Sequence, residues 1–304
     1  MAQMTASASD ISAPLSKATF SLAYVTDAGL FRPTLISAWS ALRSTLRPLT
    51  VRFVGVSLSE KMWQDVERLQ LLFPTSKVER IDLPPDWLAN GSSRKSFITS
   101  TALGRIFLPR LMMGRVLYID GDTLVTGDLA AAAKVNLGGL PIAGVRDFSM
   151  MRWRARGQTQ KMKAQADLLG WSNGLENYVN SGVLLMDCDA IRSSDATLLQ
   201  MEDLAAAARF PTVDQDRINE IFEGRMAHLD PAWNASWGRV GLQRRDTQSL
   251  PVLAAADRPL IVHFHGPNKP WQPLRLSTLK KGALATLRYR WAMATFEAEL
   301  QHIL

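Results

Sequence analysis

From residue 20 onward the chain runs in blocks of apolar and polar positions, and each block reads as one element. Ser21-Leu-Ala-Tyr-Val25 is an apolar run of strand length. Pro33 to Leu46 carries apolar residues at helical spacing behind a proline, which the first turn of a helix tolerates. Thr50 to Val56 predicts a second strand, Glu60 to Phe73 a helix stopped by Pro74, and Lys77 to Leu83 a third strand. Thr99 to Phe107 reads as a short helix, and Arg115-Val-Leu-Tyr-Ile119 as a buried strand. This alternation predicts a mostly parallel sheet with helices on both faces. Beyond residue 140 the pattern loosens. Ile142 to Val145 is a short strand ending near Asp147, and residues 148–176 are polar and basic, as expected of an irregular insertion or lid. Tyr178 to Met186 is again strand-like, Asp214-Gln-Asp216 opens a helix running to Phe222, and Leu260-Ile-Val-His263 is a last apolar strand.

Two places carry candidate chemistry. Asp120-Gly121-Asp122 follows the strand 115–119, and ligands of open α/β sheets bind at the carboxyl ends of the strands. On extended chain an i, i+2 pair points both carboxylates to one side, and Gly121 lets backbone come close. Hard oxygen ligands held in this way suit a divalent cation, which in turn suits a diphosphate. A solvated loop or an Asx-turn explains the same short motif. The second place is His263-Phe-His265-Gly266-Pro-Asn-Lys269-Pro-Trp271. It offers imidazoles for a metal, a lysine for phosphate, a glycine for close approach to an anion, and two prolines that stiffen the loop.

Composition narrows the class. The 304 residues are 47% hydrophobic and 21% charged, which is enough for a sizeable core. The one cysteine, Cys188, permits no internal disulfide and fits a reducing compartment. No run of eighteen apolar residues occurs, so no membrane span is expected. The small, polar lead, 1–18, is expected to be disordered and is unlike a secretory signal. Asn90-Gly-Ser92 and Asn234-Ala-Ser236 match the glycosylation pattern, but nothing directs the chain to a secretory lumen. The net charge of +7 suits anionic partners. Its cations gather at Arg152, Arg154, Arg156, Lys161 and Lys163, and again from Arg275 to Arg290. No nucleic-acid module or interleaved aromatic–basic motif is present, so no nucleic-acid partner is expected.

The motifs in their order resemble the retaining glycosyltransferases of family 8. The resemblance rests on Thr26-Asp27, Gly104-Arg105-Ile-Phe-Leu-Pro109, Leu117-Tyr-Ile-Asp-Gly-Asp122, Asn180-Ser-Gly182, Asp214-Gln-Asp216 and the segment from His263 to Trp271. It covers roughly residues 20 to 271. It implies an α/β fold of the GT-A type, a nucleotide-sugar-binding domain around a mostly parallel mixed sheet. Asp120, Asp122 and His263 would hold Mn²⁺ or a similar divalent cation bridging the phosphates of a UDP-sugar. Asp27 would help seat the uridine, and Lys269 with the Gly266 backbone would grip the diphosphate. Arg105, Asp147, Asn180, Asp214 and Gln215 would line the donor sugar, with Gln215, Asp214 and Asp147 nearest the chemistry. Relatives often stack an aromatic residue on the uracil just after the first aspartate. Here Asp27 is followed by Ala28-Gly29-Leu30, which leaves Phe31 or Tyr24 as replacements.

Duller roles stay open for several of these residues. Asp214 is placed to cap its helix, Arg105 to face solvent, Asn180 to satisfy backbone in a strand bend, and Asp147 to make a turn. His265 shares a strand face with His263 and is either a further imidazole of the site or a plain strand residue. For retention, Asp147 and Asp216 are candidate nucleophiles. The other route is same-face attack, with the leaving diphosphate accepting the proton. The resemblance implies a hexosyltransferase moving glucose or galactose from a UDP-sugar to a glycan or lipid-linked acceptor. The alternative is a catalytically weak sugar-nucleotide- or glycan-binding protein of the same fold. The expected organisation is a catalytic domain over 19–272 followed by a basic amphipathic helical tail over 273–304. A cytoplasmic enzyme is expected, with that tail either lying peripherally on the anionic inner membrane face or packed on the catalytic core with its cations solvated.

Overall fold

Strand β1 (Phe20–Thr26) is buried along nearly its whole length, the mark of a strand covered on both faces. In the computed structural model, residues 20–88, 100–172, 174–237, 240–247 and 258–303 are described. The expected disordered lead and the Asn90 acceptor motif lie outside them. Around β1 stand β2 (Thr50–Gly55), β3 (Lys77–Asp82) and β4 (Arg115–Ile119). Three short strands and one long one follow: β5 (Thr123–Val125), β6 (Ile142–Arg146), β7 (Val179–Asp187) and β8 (Met226–His228). Seven of these form one sheet in the order β3-β2-β1-β4-β7-β6-β8. The four strands β3-β2-β1-β4 run parallel, and β7 runs antiparallel to both β4 and β6. The sheet is therefore mixed and mostly parallel, as the alternation predicts.

Strand order reverses between β1 and β4. That switch point opens a crevice at the carboxyl ends of the parallel strands. Asp27 follows β1, Asp120 follows β4 and Asp147 follows β6, so all three reach the same edge. Because β7 runs the other way, its first residues, Val179 and Asn180, arrive there too.

A second, three-stranded sheet closes the crevice. Its order is β5-β10-β9, with β9 at Ala235–Ser236 and β10 at Ile261–His263. Asp120 to Asp122 is thus a turn linking β4 of the large sheet to β5 of the small one, rather than extended chain. Gly121 is required there, because a Cβ would collide with Thr34 of the helix that follows β1.

That helix, α1 (Phe31–Ser44), is almost wholly buried and starts two residues before Pro33. Helix α2 (Glu60–Leu72) is capped by Ser59, whose side chain accepts from the Met62 N–H. Residues 100–107 form a 3-10 helix that delivers Arg105. The expected irregular insertion is in fact two helices, α3 (Phe148–Ala155) and α4 (Thr159–Leu169). Neither has a marked apolar stripe. Their ends are set by the Asp147 cap and by left-handed glycines, Gly157 and Gly170. Helix α5 (Asp214–Ile221) lies behind β7, and α6 (Val240–Thr247) packs on α3.

The C-terminal segment is helix α7 (Leu276–Gln301), kinked at Gly282 where the Trp237 carbonyl leaves no room for a Cβ. One face packs on α1. Phe296 lies 6.0 Å from Trp39, Trp39 Nε1 donates to Glu299 at 2.7 Å, and Arg32 and Arg43 pair with Glu297 and Glu299. Burying Phe296 alone contributes roughly 1.5–3 kcal/mol, so this face holds without any membrane. The opposite face leaves Leu276, Leu284, Leu287 and Trp291 exposed among Lys280 and Arg288. Both acids that dilute the basic charge of this helix are therefore turned inward.

Candidate active site

One cavity of about 470 Å³ sits at the switch point, and the expected metal-ligand, diphosphate, nucleoside and sugar-lining residues all line it, while Asp216, Tyr24 and Phe31 do not. Asp27 stands at one end, the Asp120–Asp122 turn and His263 form the floor, and Gly266 and Lys269 form one lip. Arg105, Asp147, Asn180, Asp214 and Gln215 make the opposite wall.

The floor brings three ligand atoms together. His263 Nε2 lies 3.2 Å from Asp122 Oδ1 and 3.7 Å from Asp120 Oδ2, and one ligand atom from each residue falls within 4.8 Å of the others. His263 Nδ1 is 2.9 Å from Asn234 Oδ1. An amide oxygen only accepts, so Nδ1 carries the hydrogen and Nε2 is the nitrogen presented to the carboxylates. This outer partner is what metal-binding imidazoles typically have. Gly182 lies just beneath: a Cβ there would stand 2.8 Å from Asp120 Oδ2 and collide with the His263 ring. Lys269 bonds Asp122 and the Phe264 carbonyl, the latter at 3.0 Å. Burial alone would raise the Asp122 pKa, but Lys269 and His263 outweigh it and hold the carboxyl well below its ordinary range. Asp122 is therefore anionic across the physiological range.

Arg105 is buried rather than exposed on a surface helix. Its guanidinium reaches Asp120 at 2.9 Å, Asp214 at 3.2 Å and the Ser181 carbonyl at 2.8 Å. Burial disfavours its charge, yet the two aspartates more than offset this and keep it protonated. Tyr118, with its pKa raised well above the usual value by burial, donates to Asp120 Oδ1 at 2.5 Å. Asp214 does not cap its helix. Its Oδ2 instead accepts from Ser181 Oγ at 2.9 Å and pairs with Arg105, while burial pushes its pKa up. Val213, just before it, holds a strained positive φ of 46°.

The opposite wall is a closed set of hydrogen bonds. Gln215 Oε1 accepts from Asn180 Nδ2 at 2.9 Å and from the Ser181 N–H at 3.1 Å, and its Nε2 donates to Tyr178 at 3.1 Å and to Asp147 at 3.3 Å. Asp147 caps α3 through Oδ1 and accepts from Asn180 through Oδ2 at 3.0 Å. Asn180 Oδ1 accepts from Gly182 N and from Asn234 Nδ2. Asp216 is fully buried behind Tyr178, bonded by Tyr178 at 2.5 Å and by Gln165 at 2.6 Å, and does not line the cavity.

Some expectations turn out differently. Tyr24 and Phe31, the offered stacking residues, are both core side chains. Tyr24 stacks on Phe53 at 5.7 Å, and neither lines the cavity. Asp27 accepts from the Gly29 and Leu30 N–H groups, so it also makes the turn into α1. Gly266 has φ +90°, a backbone that calls for glycine. Trp271 packs 5.3 Å from Tyr289, as expected of a structural tryptophan. His265 does line the cavity and hydrogen-bonds Ser236. Asn234, Ser236 and Gln243 line it as well, and no sequence signal marked them. The Asn234-Ala-Ser236 match is part of this wall, with Asn234 buried and bonded to His263 and Asn180.

A mixed sheet with a carboxylate pair at its switch point, met by an imidazole from a small second sheet, is a GT-A glycosyltransferase architecture. The chain belongs to glycosyl transferase family 8, whose sequence model matches residues 22–274. It is 28% identical over 187 residues to General stress protein A of Bacillus subtilis, covering 58% of this chain and 60% of that protein. It is 25% identical over 164 residues to lipopolysaccharide 1,2-glucosyltransferase of Escherichia coli, covering 53% of this chain and 45% of the relative. The matched region thus spans about half the length of these curated relatives. Among solved structures, the galactosyltransferase LgtC in complex with donor and acceptor sugar analogues aligns with a TM-score of 0.73 at 20% identity, over 90% of this chain and 95% of that one. GlyE of Streptococcus pneumoniae aligns with a TM-score of 0.61 at 19% identity, over 93% of this chain and 63% of its own.

Proposed function

We propose that this chain moves a hexose, glucose or galactose, from a UDP-sugar to a glycan or lipid-linked acceptor with retention of anomeric configuration and with Mn²⁺ bound. The observation that carries the reading is the convergence of Asp120, Asp122 and a tautomer-fixed His263 beside Lys269 at the sheet's switch point. Two carboxylates and one imidazole are a mixed oxygen–nitrogen set that fits Mn²⁺ better than Mg²⁺, which keeps more of its water. The ion would hold the diphosphate and offset the charge that gathers on it as the anomeric bond breaks. Lys269 adds a fixed cation to that charge, and the Gly266 backbone borders the same lip. Asp27 serves the nucleoside end.

The carboxylates of the wall are already engaged. Asp147 accepts four hydrogen bonds, Asp214 is paired with Arg105, and Asp216 is sealed behind Tyr178. A carboxylate so bonded is a weak nucleophile, which supports same-face attack with the diphosphate oxygen taking the acceptor's proton. Gln215, Asp214 and Asp147 then act by holding the sugar's shape and orientation. The free face of α7, with Leu284, Leu287 and Trp291 beside Lys280 and Arg288, supports peripheral docking on the anionic inner leaflet by a cytoplasmic enzyme. Among the described residues no helix is long and apolar enough to cross a membrane. A UDP-sugar hydrolysis panel with MnCl₂ tests the donor side. Release of UDP from UDP-glucose or UDP-galactose is expected, and no release from any UDP-sugar would overturn the reading.

A further inference from the structure

The arginines of this chain fall into two kinds. Most of those described answer a carboxylate: Arg32 with Glu297, Arg52 with Glu79, Arg110 with Glu202, Arg244 with Asp230. The helices α3 and α4 are different. Arg152, Arg156, Lys161 and Lys163 are all exposed, and none has a carboxylate partner among the described residues. Arg154, on the other side of the same helix, is held by Asp246 and Glu176. On α3 the free cations, Arg152 and Arg156, are therefore confined to one side.

Their placement gives them a direction. Phe148 opens α3, lines the cavity, and stands 6.0 Å from His265. Arg152 lies one turn further, with its guanidinium 5.9 Å from the Phe148 ring, and Arg156 lies one turn beyond that. Four residues of helix advance about 6 Å, so the charges lead away from the cavity mouth at short, regular intervals. Lys161 and Lys163 add to them from α4, which packs back on α3. No large hydrophobic side chain is exposed on α3, and α4 exposes Leu168 near its C-terminal end, in contrast to the several on the free face of α7. A cationic row without apolar partners suits a hydrated polyanion rather than a lipid surface.

We infer that this row docks the acceptor, and that the acceptor is a glycan bearing several negative charges, carboxylate or phosphate, along its length. Its reacting end enters the cavity past Phe148, and the anionic remainder lies along α3. This rests on the transferase reading above and adds the class of acceptor to it.

The test uses the full chain with UDP and MnCl₂ and a matched pair of probes: α-1,4-linked tetragalacturonate and its fully methyl-esterified form, which share a backbone and differ in whether the carboxyl groups carry charge. The acid is expected to bind at least about tenfold more tightly than the ester, the sum of a few exposed ion pairs. That preference should collapse in 0.5 M NaCl, where screening acts over roughly 4 Å. A variant combining Arg152→Gln, Arg156→Gln, Lys161→Gln and Lys163→Gln should bind the acid no better than the ester, with UDP affinity unchanged. Equal affinity of the native chain for acid and ester would overturn the inference. So would full affinity for the acid in the variant, or a variant that keeps the acid but loses phosphatidylglycerol vesicles. UDP-sugar hydrolysis reads the transferase reading separately. Its absence, with the acid preference intact, would remove the transferase and leave the docking surface.

Discussion

The floor and the wall of the cavity are built on opposite principles. On the floor, two carboxylates and an imidazole converge, with Lys269 on Asp122 and Arg105 on Asp120 as cationic neighbours. The three groups face one another and are held by partners from outside the trio, which leaves the space between them suited to a divalent cation. On the wall, Asp147, Asn180, Gln215 and Tyr178 satisfy one another through a closed ring of hydrogen bonds. The floor is shaped to hold something foreign, and the wall is shaped to stay as it is. Loss of a floor residue should therefore remove function and spare the fold, while loss of a wall residue should affect both.

The largest effect is expected for Asp122→Ala. It removes the carboxylate shared by His263 and Lys269, and UDP-sugar hydrolysis should fall by about a thousandfold or more, in the range of removing a central charge-stabilising group. Circular dichroism and melting should stay near those of the native chain. A well-folded variant with an undiminished rate would erase the distinction between floor and wall.

Next comes Asn234→Ala, which leaves every candidate ligand in place but frees the His263 tautomer. Mn²⁺ affinity, followed by electron paramagnetic resonance, should weaken roughly 10- to 100-fold. An unchanged affinity would mean that the imidazole needs no orienting partner.

Gln215→Ala tests the wall. It leaves one N–H of the half-buried Asn180 amide and the buried Ser181 N–H short of a partner, at a cost of about 1–3 kcal/mol. Melting temperature and kcat should both drop while UDP binding holds. A fall in kcat with no loss of stability would make Gln215 a reacting group rather than part of a scaffold.

The smallest effect concerns the sheet behind the wall. His228 ends β8, hydrogen-bonds Asn177 at 3.1 Å, and has its pKa lowered to about 4 by burial and by Arg146. The folded state therefore binds this proton less readily than the unfolded chain. The stability it contributes is present above pH 6.5 and is lost as pH falls from 6.5 toward 4, amounting to about 3 kcal/mol. His228→Asn should flatten the denaturant midpoint over that window. The same slope in the variant would place the titration elsewhere.

The same contrast explains what the sequence disclosed. The parallel half was legible because β1 and β4 are buried on both faces and read as apolar runs, with β2 interrupted by Arg52. Asp120, Asp122, His263 and Lys269 were legible because they sit in compact motifs beside those strands. The three-stranded sheet was not fully legible: β9 is two residues long and β5 three, too short to leave a period. That sheet nonetheless carries Asn234 and Ser236 into the site, so these ordinary polar residues gain their role from tertiary placement alone. Helices α3 and α4 hid for another reason, since they bury little and their ends are set by Asp147, Gly157 and Gly170 rather than by an apolar face. Asp216 shares a motif with Gln215, yet Tyr178 screens it from the cavity, a separation that only the packing reveals.

The central claim is that the floor binds a nucleotide diphosphate through a metal. Calorimetric titration of UDP into the native chain, first in excess chelator and then in MnCl₂, tests it most directly. UDP should bind weakly or not at all in chelator and at least 100-fold more tightly with Mn²⁺, and an Asp120→Asn, Asp122→Asn variant should lose that difference. Equal UDP affinity with and without the metal in the native chain would contradict the account.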